Sequence, residues 1–313
     1  MTKFAFVFPG QGSQAIGMLD GFADNAVVQQ TVAEASDVLR QDFQTLIAQG
    51  PKEEQDLTTN TQPLMLTAAV ACYRAWIAAG GAVPSVVAGH SLGEYSALVA
   101  AGVISFADAL PLVRFRAEAM QQAVPVGVGG MAAVLGLADA DVLKVCAEAQ
   151  AAFPGQVVQA VNFNAPAQVV IAGSVEALDR ACELAKAAGA KRALKLPVSA
   201  PFHSSLLQPA SQRLAEYLAN VNFNVPQIAV INNVDVAIVN DPAAIKEALV
   251  RQAANPVRWV ETVQAMAAQG VSHVIECGPG KVLTGLTKRI DSNLIGDAVL
   301  DETSLQRVLA LLA

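Results

Sequence analysis

Gly89-His90-Ser91-Leu92-Gly93 combines a serine with a glycine on either side at the spacing G-x-S-x-G. An apolar run, Val86-Val87-Ala88, precedes it, and an alanine-rich helical pattern follows. A strand, a sharp turn and a helix in that order form a nucleophile elbow. The turn exposes the Ser91 hydroxyl at a helix N-terminus, where free amides and the helix dipole favour developing negative charge. Such a serine needs a base, and the chain has three histidines. His90 is next to the serine and should point away from it, into packing. His273 begins an apolar strand pattern. His203 sits in the proline-broken loop Pro197–Ser204, where binding and catalytic groups gather. In the helical pattern after the elbow, Ala109, Leu112, Val113, Arg116 and Met120 share one face. Arg116 therefore lies in an apolar stripe and needs an anion: either an internal Asp or Glu, or a substrate carboxylate held by the guanidinium fork. Arg114 can pair with Glu118 on the outer face.

These residues need an α/β framework. Lys3–Phe8 reads as a strand apolar on both faces, which fits the inside of a parallel sheet. The loop Pro9-Gly10-Gln11-Gly12-Ser13-Gln14 follows, its glycines permitting close backbone approach. Helical patterns cover Ala26–Ala48, Gln62–Ala79 with Pro63 in the first turn, and Phe106–Ala123. The character changes at Val126. Strand patterns at Met131–Leu137, Val157–Asn164, Gln168–Gly173 and Lys191–Val198 alternate with helices at Asp139–Ala152 and Ser174–Gly189, the latter capped by Ser174. The order β-α-β-β-α-β is that of a ferredoxin-like unit. It predicts a small domain, 126–198, inserted into a larger α/β domain made of 1–125 and 199–313. The larger domain resumes with a strand near Ile228–Val234, helices from Pro242 and from Val257, a strand at His273–Cys277, the structural turn Gly278-Pro279-Gly280 and a final pair of helices.

Composition narrows the function. The chain has 313 residues, 53% hydrophobic and 15% charged, with a net charge of −7. That is a globular balance, and it argues against nucleic acid, which wants a clustered basic face. The run Phe4–Phe8 is too short for a signal sequence, and Arg74, His90 and Glu94 interrupt the longest apolar helices, so no membrane span is expected. Cys72, Cys146, Cys182 and Cys277 are widely spaced and read as free thiols in a reducing cytoplasm. Three histidines assemble no convincing metal cluster.

The motifs at 9–14, 89–94 and Arg116, with Asn162-Phe163-Asn164, the His203 loop, Asn255-Pro256-Val257 and Gly278-Pro279-Gly280, occur in the order found in malonyl-CoA:acyl carrier protein transacylases. The sequence resembles that family along essentially its whole length. The resemblance implies an α/β-hydrolase-like core, largely parallel, with an inserted ferredoxin-like domain. It implies Ser91 as the nucleophile carrying a malonyl ester, His203 as general base and acid, and Arg116 as the partner of the malonyl carboxylate. It implies the backbone amides of Gln11 and Leu92 as the oxyanion hole and the Gln252 carbonyl as the group orienting the histidine. Phe202 would accompany malonyl selectivity, filling the space an α-methyl needs. The implied partners are malonyl-CoA and acyl carrier protein, with coenzyme A thioester as substrate and no permanently bound cofactor. Lys191, Arg192 and Lys195, with Lys281, Lys288 and Arg289, are candidate cations for an acidic carrier protein. Met1, just before the first strand, suggests a free-standing protein rather than a module of a longer synthase. Two other readings remain open. A plain esterase or thioesterase needs Ser…Asp/Glu…His in chain order, which Ser91, Asp235 and His273 satisfy. A degenerate acyl-group sensor would keep the fold without forming an ester.

Overall fold

The computed structural model describes residues 2–198 and 200–313. Met1, on which the free-standing expectation rests, and Ser199, at the expected domain boundary, lie outside the described residues. The strands are β1 (Phe4–Phe8), β2 (Val86–Gly89), β3 (Gly129–Leu135), β4 (Val158–Ala165), β5 (Gln168–Ser174), β6 (Arg192–Lys195), β7 (Ala229–Ile231), β8 (His273–Cys277) and β9 (Ile295–Val299). The helices before the small sheet are α1 (Ala26–Leu39), α2 (Phe43–Gln49), α3 (Lys52–Asp56), α4 (Thr58–Ala78), α5 (Gly93–Ala100) and α6 (Phe106–Gln122). Those after are α7 (Asp139–Ala152), α8 (Val175–Ala187), α9 (Gln208–Leu218), α10 (Pro242–Gln252), α11 (Trp259–Ala268), α12 (Val282–Ile290) and α13 (Glu302–Leu312).

Two sheets result. The first is parallel, in the order β7-β2-β1-β8-β9. Its central strand β1 is buried at every position, because helices cover both faces. Phe6, Phe8, Tyr73 and Trp76 interlock edge to face between β1 and α4, while Ala5 and Val7 pack on the other face with Trp259 and Val263. The second sheet is antiparallel, in the order β4-β5-β3-β6. Its residues alternate between two jobs, as the period of two requires. Ala132, Val134, Val169 and Ile171 pack against α7 and α8. Met131, Val170 and Ala172 face the other way, onto Met120 of α6 and Phe202. The gap between the two sheets is thus lined on one side by α6 and the residues after β1 and β2, and on the other by the small sheet. Strand β4 is tied to the large unit by the pair Phe163 N–H to Val257 O (3.0 Å) and Val257 N–H to Val161 O (2.8 Å).

Several local expectations need correction. Helix α4 starts at Thr58, not Gln62, so Pro63 lies inside it. Its polar first turn reads as loop, yet Asn60 and Thr61 are buried and bonded to the Glu54 and Gln55 carbonyls of α3. Ser174 sits at the start of α8 but makes no side-chain cap; its hydroxyl accepts the Val157 N–H (3.3 Å). The expected strand 191–198 is cut to Arg192–Lys195 ahead of Pro197, which has no N–H for a ladder. Strand β9 was not expected; it adds to the edge of the parallel sheet beside β8.

The elbow depends on close contact. A Cβ on Gly89 would lie 1.8 Å from the Gly93 carbonyl carbon, and one on Gly93 would lie 2.0 Å from the Phe8 carbonyl oxygen. These are backbone atoms of β1 and α5, so no side chain can move away. Gly93→Ala is therefore expected to lose about 3 kcal/mol or more of stability, measurable by urea denaturation; a wild-type midpoint would contradict this packing.

Candidate active site

Ser91 and His203 both hold left-handed backbone, with φ of +52° and +64°, a conformation that persists only where the surroundings impose it. Their side chains meet: Ser91 Oγ is 2.6 Å from His203 Nε2. On the other side of the ring, Nδ1 is 2.8 Å from the Gln252 carbonyl oxygen. A carbonyl only accepts, so Nδ1 carries the hydrogen and Nε2 presents its lone pair to the serine hydroxyl. Burial, followed by the nearby positive charge of Arg116, pushes the His203 pKa down to about 3. The imidazole is therefore neutral at pH 7, as a general base must be.

Arg116 is buried to 2% exposure. Its NH1 donates to Gln62 Oε1 (2.8 Å), and its NH2 to Gln252 Oε1 (2.9 Å) and Ser91 Oγ (3.2 Å). The guanidinium lies over the Tyr95 ring at 5.3 Å, and its Nε has no acceptor among the described residues. Burial lowers its pKa, yet a guanidinium keeps its proton in proteins. Among the described residues no Asp or Glu forms an ion pair with it, and two neutral amide oxygens hold it instead. Its positive charge thus stands beside the nucleophile without a bonded counter-charge. Arg114, which by its spacing can pair with Glu118, donates to Gln41 Oε1.

A cleft of about 220 Å³ opens over this group, lined among others by Gln11, Ser91, Leu92, Arg116, Phe202 and His203. The Ser91 amide is already taken by Asn233 Oδ1 (2.8 Å), and that of Gly93 by His90 O. Among the described residues the Gln11 and Leu92 amides make no hydrogen bond. The loop carrying Gln11 is pressed onto the elbow, for a Cβ on Gly10 would lie 2.5 Å from His90 O. Phe202 is buried with Met120, Met131 and Val170 at the inner wall. His90 turns away from Ser91, with Nε2 2.8 Å from Asn164 Oδ1 and its ring tilted against Trp259.

The triad of the esterase alternative is not assembled. His273 pairs with Phe4 at the start of β1, whereas Ser91 follows Gly89, which pairs with Phe8 at its end. Four residues of strand separate them, about 13 Å. Asp235 is engaged by both terminal nitrogens of Arg251 at 2.7 Å. Three side chains that sequence reading passed over do belong to the site: Gln62, Glu94 and Asn233. Gln62 follows the polar stretch 58–61, and Asn233 stands between Asn232 and Asp235, so no local contrast marks them; Glu94, beside the elbow, is the one whose position could have marked it. Among the described residues there is no group of three or more side chains arranged to hold a metal ion, and no helix is long and apolar enough to cross a membrane. All four cysteines are free and buried.

A serine with a neutral histidine beside it and an arginine in the same cleft can carry out acyl transfer through a serine ester. A family model for the acyl transferase domain matches residues 5–298. The malonyl CoA-acyl carrier protein transacylase of Salmonella typhimurium is 56% identical over 310 residues, spanning 99% of each chain. The solved acyl-carrier-protein S-malonyltransferase of Burkholderia pseudomallei is 70% identical and superposes with a TM-score of 0.97 over 99% of this chain and 100% of that one. A type II PKS acyl-carrier protein has been solved in complex with its malonyl-transacylase, in a structure that is 53% identical over 99% of this chain and 100% of that one, with a TM-score of 0.97. The chain is an acyltransferase and belongs to the malonyl CoA-acyl carrier protein transacylase family.

With its pKa near 3, His203 stays deprotonated throughout the mildly acidic range. The single-turnover rate of ester formation on Ser91 is therefore expected to stay level from pH 7 to pH 5. An acid limb centred at the ordinary histidine value would contradict the burial argument.

Proposed function

We propose that this chain transfers the malonyl group from malonyl-CoA to the phosphopantetheine thiol of acyl carrier protein, supplying malonyl thioester for fatty acid synthesis. The observation that carries the reading is Arg116, buried in the cleft 3.2 Å from Ser91 Oγ and held by neutral amides. A carboxylated acyl group would complete its hydrogen bonds in a bidentate pair.

In the proposed cycle His203 Nε2 takes the Ser91 hydroxyl proton as Oγ attacks the thioester carbonyl carbon. The oxyanion is received by the Gln11 and Leu92 amides, a contribution of about 2.7–4 kcal/mol per donor in comparable sites. Collapse breaks the C–S bond, and the coenzyme A sulfur leaves with the proton held on His203. The carrier thiol then gives its proton to His203, its sulfur attacks the ester, and Ser91 recovers the hydroxyl proton. The Gln252 carbonyl fixes the imidazole tautomer, although it stabilises imidazolium less than a buried carboxylate would. Phe202 restricts the α-carbon pocket, where one methyl group is worth about 1–3 kcal/mol.

We also infer the finer architecture. Residues 1–125 and 199–313 would form an α/β-hydrolase-like catalytic domain, since a nucleophile elbow follows a central parallel strand. Residues 126–198 would form an inserted ferredoxin-like domain, which fits the β-α-β-β-α-β order and a core drawn from its own residues. Carrier docking is proposed beside α12, whose Leu283 and Leu286 reach the cleft. Lys281, Lys288 and Arg289 lie on that helix or just before it, and Lys191, Arg192 and Lys195 lie at the small-sheet edge. Lys195 is partly engaged by Asp179 (2.5 Å) and Arg289 by Gln168. A reducing cytoplasm fits the four free thiols.

Replacing Arg116 with Ala removes one partner of the proposed charge pair. Malonyl loading of Ser91 is expected to fall by about 2 kcal/mol or more, roughly thirtyfold, with acetyl loading much less affected. Equal losses with malonyl-CoA and acetyl-CoA would contradict the role of Arg116.

A further inference from the structure

Glu94 does not line the cleft, yet it is bonded to two residues that hold the site together. The residue is buried to 2% exposure at the start of α5. One of its oxygens, Oε2, accepts the Asn233 backbone N–H (3.0 Å) and Gln252 Nε2 (2.9 Å). Each of those residues holds one side of the Ser91 peptide. Asn233 Oδ1 accepts the Ser91 N–H (2.8 Å), with Asn233 Nδ2 fixed on Gly89 O (2.7 Å). Gln252 Nε2 also donates to Ser91 O (3.0 Å), while Gln252 Oε1 faces Arg116 NH2 (2.9 Å). With both its hydrogens directed at oxygen atoms, the Gln252 amide can present only its oxygen to the arginine. A carboxyl group so deeply buried is costly unless it is hydrogen-bonded, and its bonds go to these two residues rather than to the adjacent Arg116.

We propose that Glu94 is a positioning residue that sets the Ser91 peptide and the Arg116 guanidinium in register through one oxygen, and thereby sharpens selection of a carboxylated acyl group. This rests on the malonyl-transfer reading above. Burial pushes the Glu94 pKa up to about 7, against the lowering effect of the bonds from Gln252 and Asn233. In either protonation state Oε2 can remain an acceptor. The device therefore needs an acceptor at that point and does not need a charge, so a glutamine can replace Glu94 and an isosteric apolar side chain cannot.

The test measures single-turnover formation of the Ser91 ester with malonyl-CoA and with acetyl-CoA. Glu94→Met leaves two buried donors, the Asn233 N–H and a Gln252 Nε2 hydrogen, without their acceptor. It is expected to cut malonyl loading roughly tenfold or more, the scale of even one such donor, and to lower the malonyl-to-acetyl ratio severalfold. Glu94→Gln is expected to restore most of both. An unchanged ratio in Glu94→Met, even with both rates reduced, would make the residue merely structural and overturn the proposal, as would a Glu94→Gln variant as impaired as Glu94→Met. Should Glu94→Met not fold, Gln252→Met cuts the same link with the carboxyl left in place, and an unchanged ratio there overturns the proposal equally. A wild-type protein that forms no malonyl ester defeats the malonyl-transfer reading itself. Preferential malonyl loading by wild type, with the ratio kept in the variants, defeats the coupling alone.

Discussion

Everything in the site depends on how closely three backbone segments approach one another at the elbow. Gly93 lies against the Phe8 carbonyl and Gly89 against Gly93, at separations no Cβ would permit. That contact brings the end of β2, the start of α5 and the loop after β1 to one point, and it forces Ser91 into left-handed backbone. Strain of this kind costs on the order of 1–3 kcal/mol and must be met by surrounding contacts. The asparagine and glutamine that grip the two sides of the Ser91 peptide supply them. The loop after β1 is held against the same point, for a Cβ on Gly10 would lie 2.5 Å from His90 O, and Gln11 and Leu92 both line the cleft there.

The second sheet gives the cleft its other wall. Its strands send one set of side chains to their own helices and the alternate set toward α6 and Phe202. The wall is apolar, which is why the charged group in the cleft is informative. A cation held by two neutral amide oxygens is fixed in place with its charge unspent, whereas a carboxylate partner would have neutralised it. Burial is the main cause that keeps the neighbouring histidine deprotonated, and the same positive charge adds to it. One arginine thus acts on two parts of the proposed chemistry, attracting an acid substrate and helping to preserve the base.

The element order of the parallel core and of the small β-α-β-β-α-β stretch was legible in the sequence, and so were Ser91 and Arg116, because each leaves a local pattern; His203 leaves none, and only the family resemblance joined it to them. Glycines flank the serine, and apolar residues at helical spacing flank the arginine. The losses were equally physical. Strand β9, Ile295–Val299, includes Gly296 and Asp297 and pairs only at the sheet edge, so no alternation marks it. The first turn of α4 is polar in sequence and buried in space. Asn233 and Gln252 reach Glu94 across 139 and 158 positions of chain, a proximity that only the folded topology creates. Likewise Asp235 and His273 satisfied the chain order of a hydrolase triad, while the strand register put His273 at the wrong end of the sheet.

The central claim is that Ser91 holds an acyl group destined for a thiol rather than for water. The most direct measurement is mass spectrometry of the Ser91 peptide after mixing the protein with malonyl-CoA, followed in time with and without phosphopantetheinylated acyl carrier protein. The account predicts a malonyl ester on Ser91 that persists in buffer and disappears promptly when the carrier is added, with the malonyl group recovered on the carrier thiol. An unmodified Ser91, or an ester lost to water at the same rate with or without carrier, would contradict it.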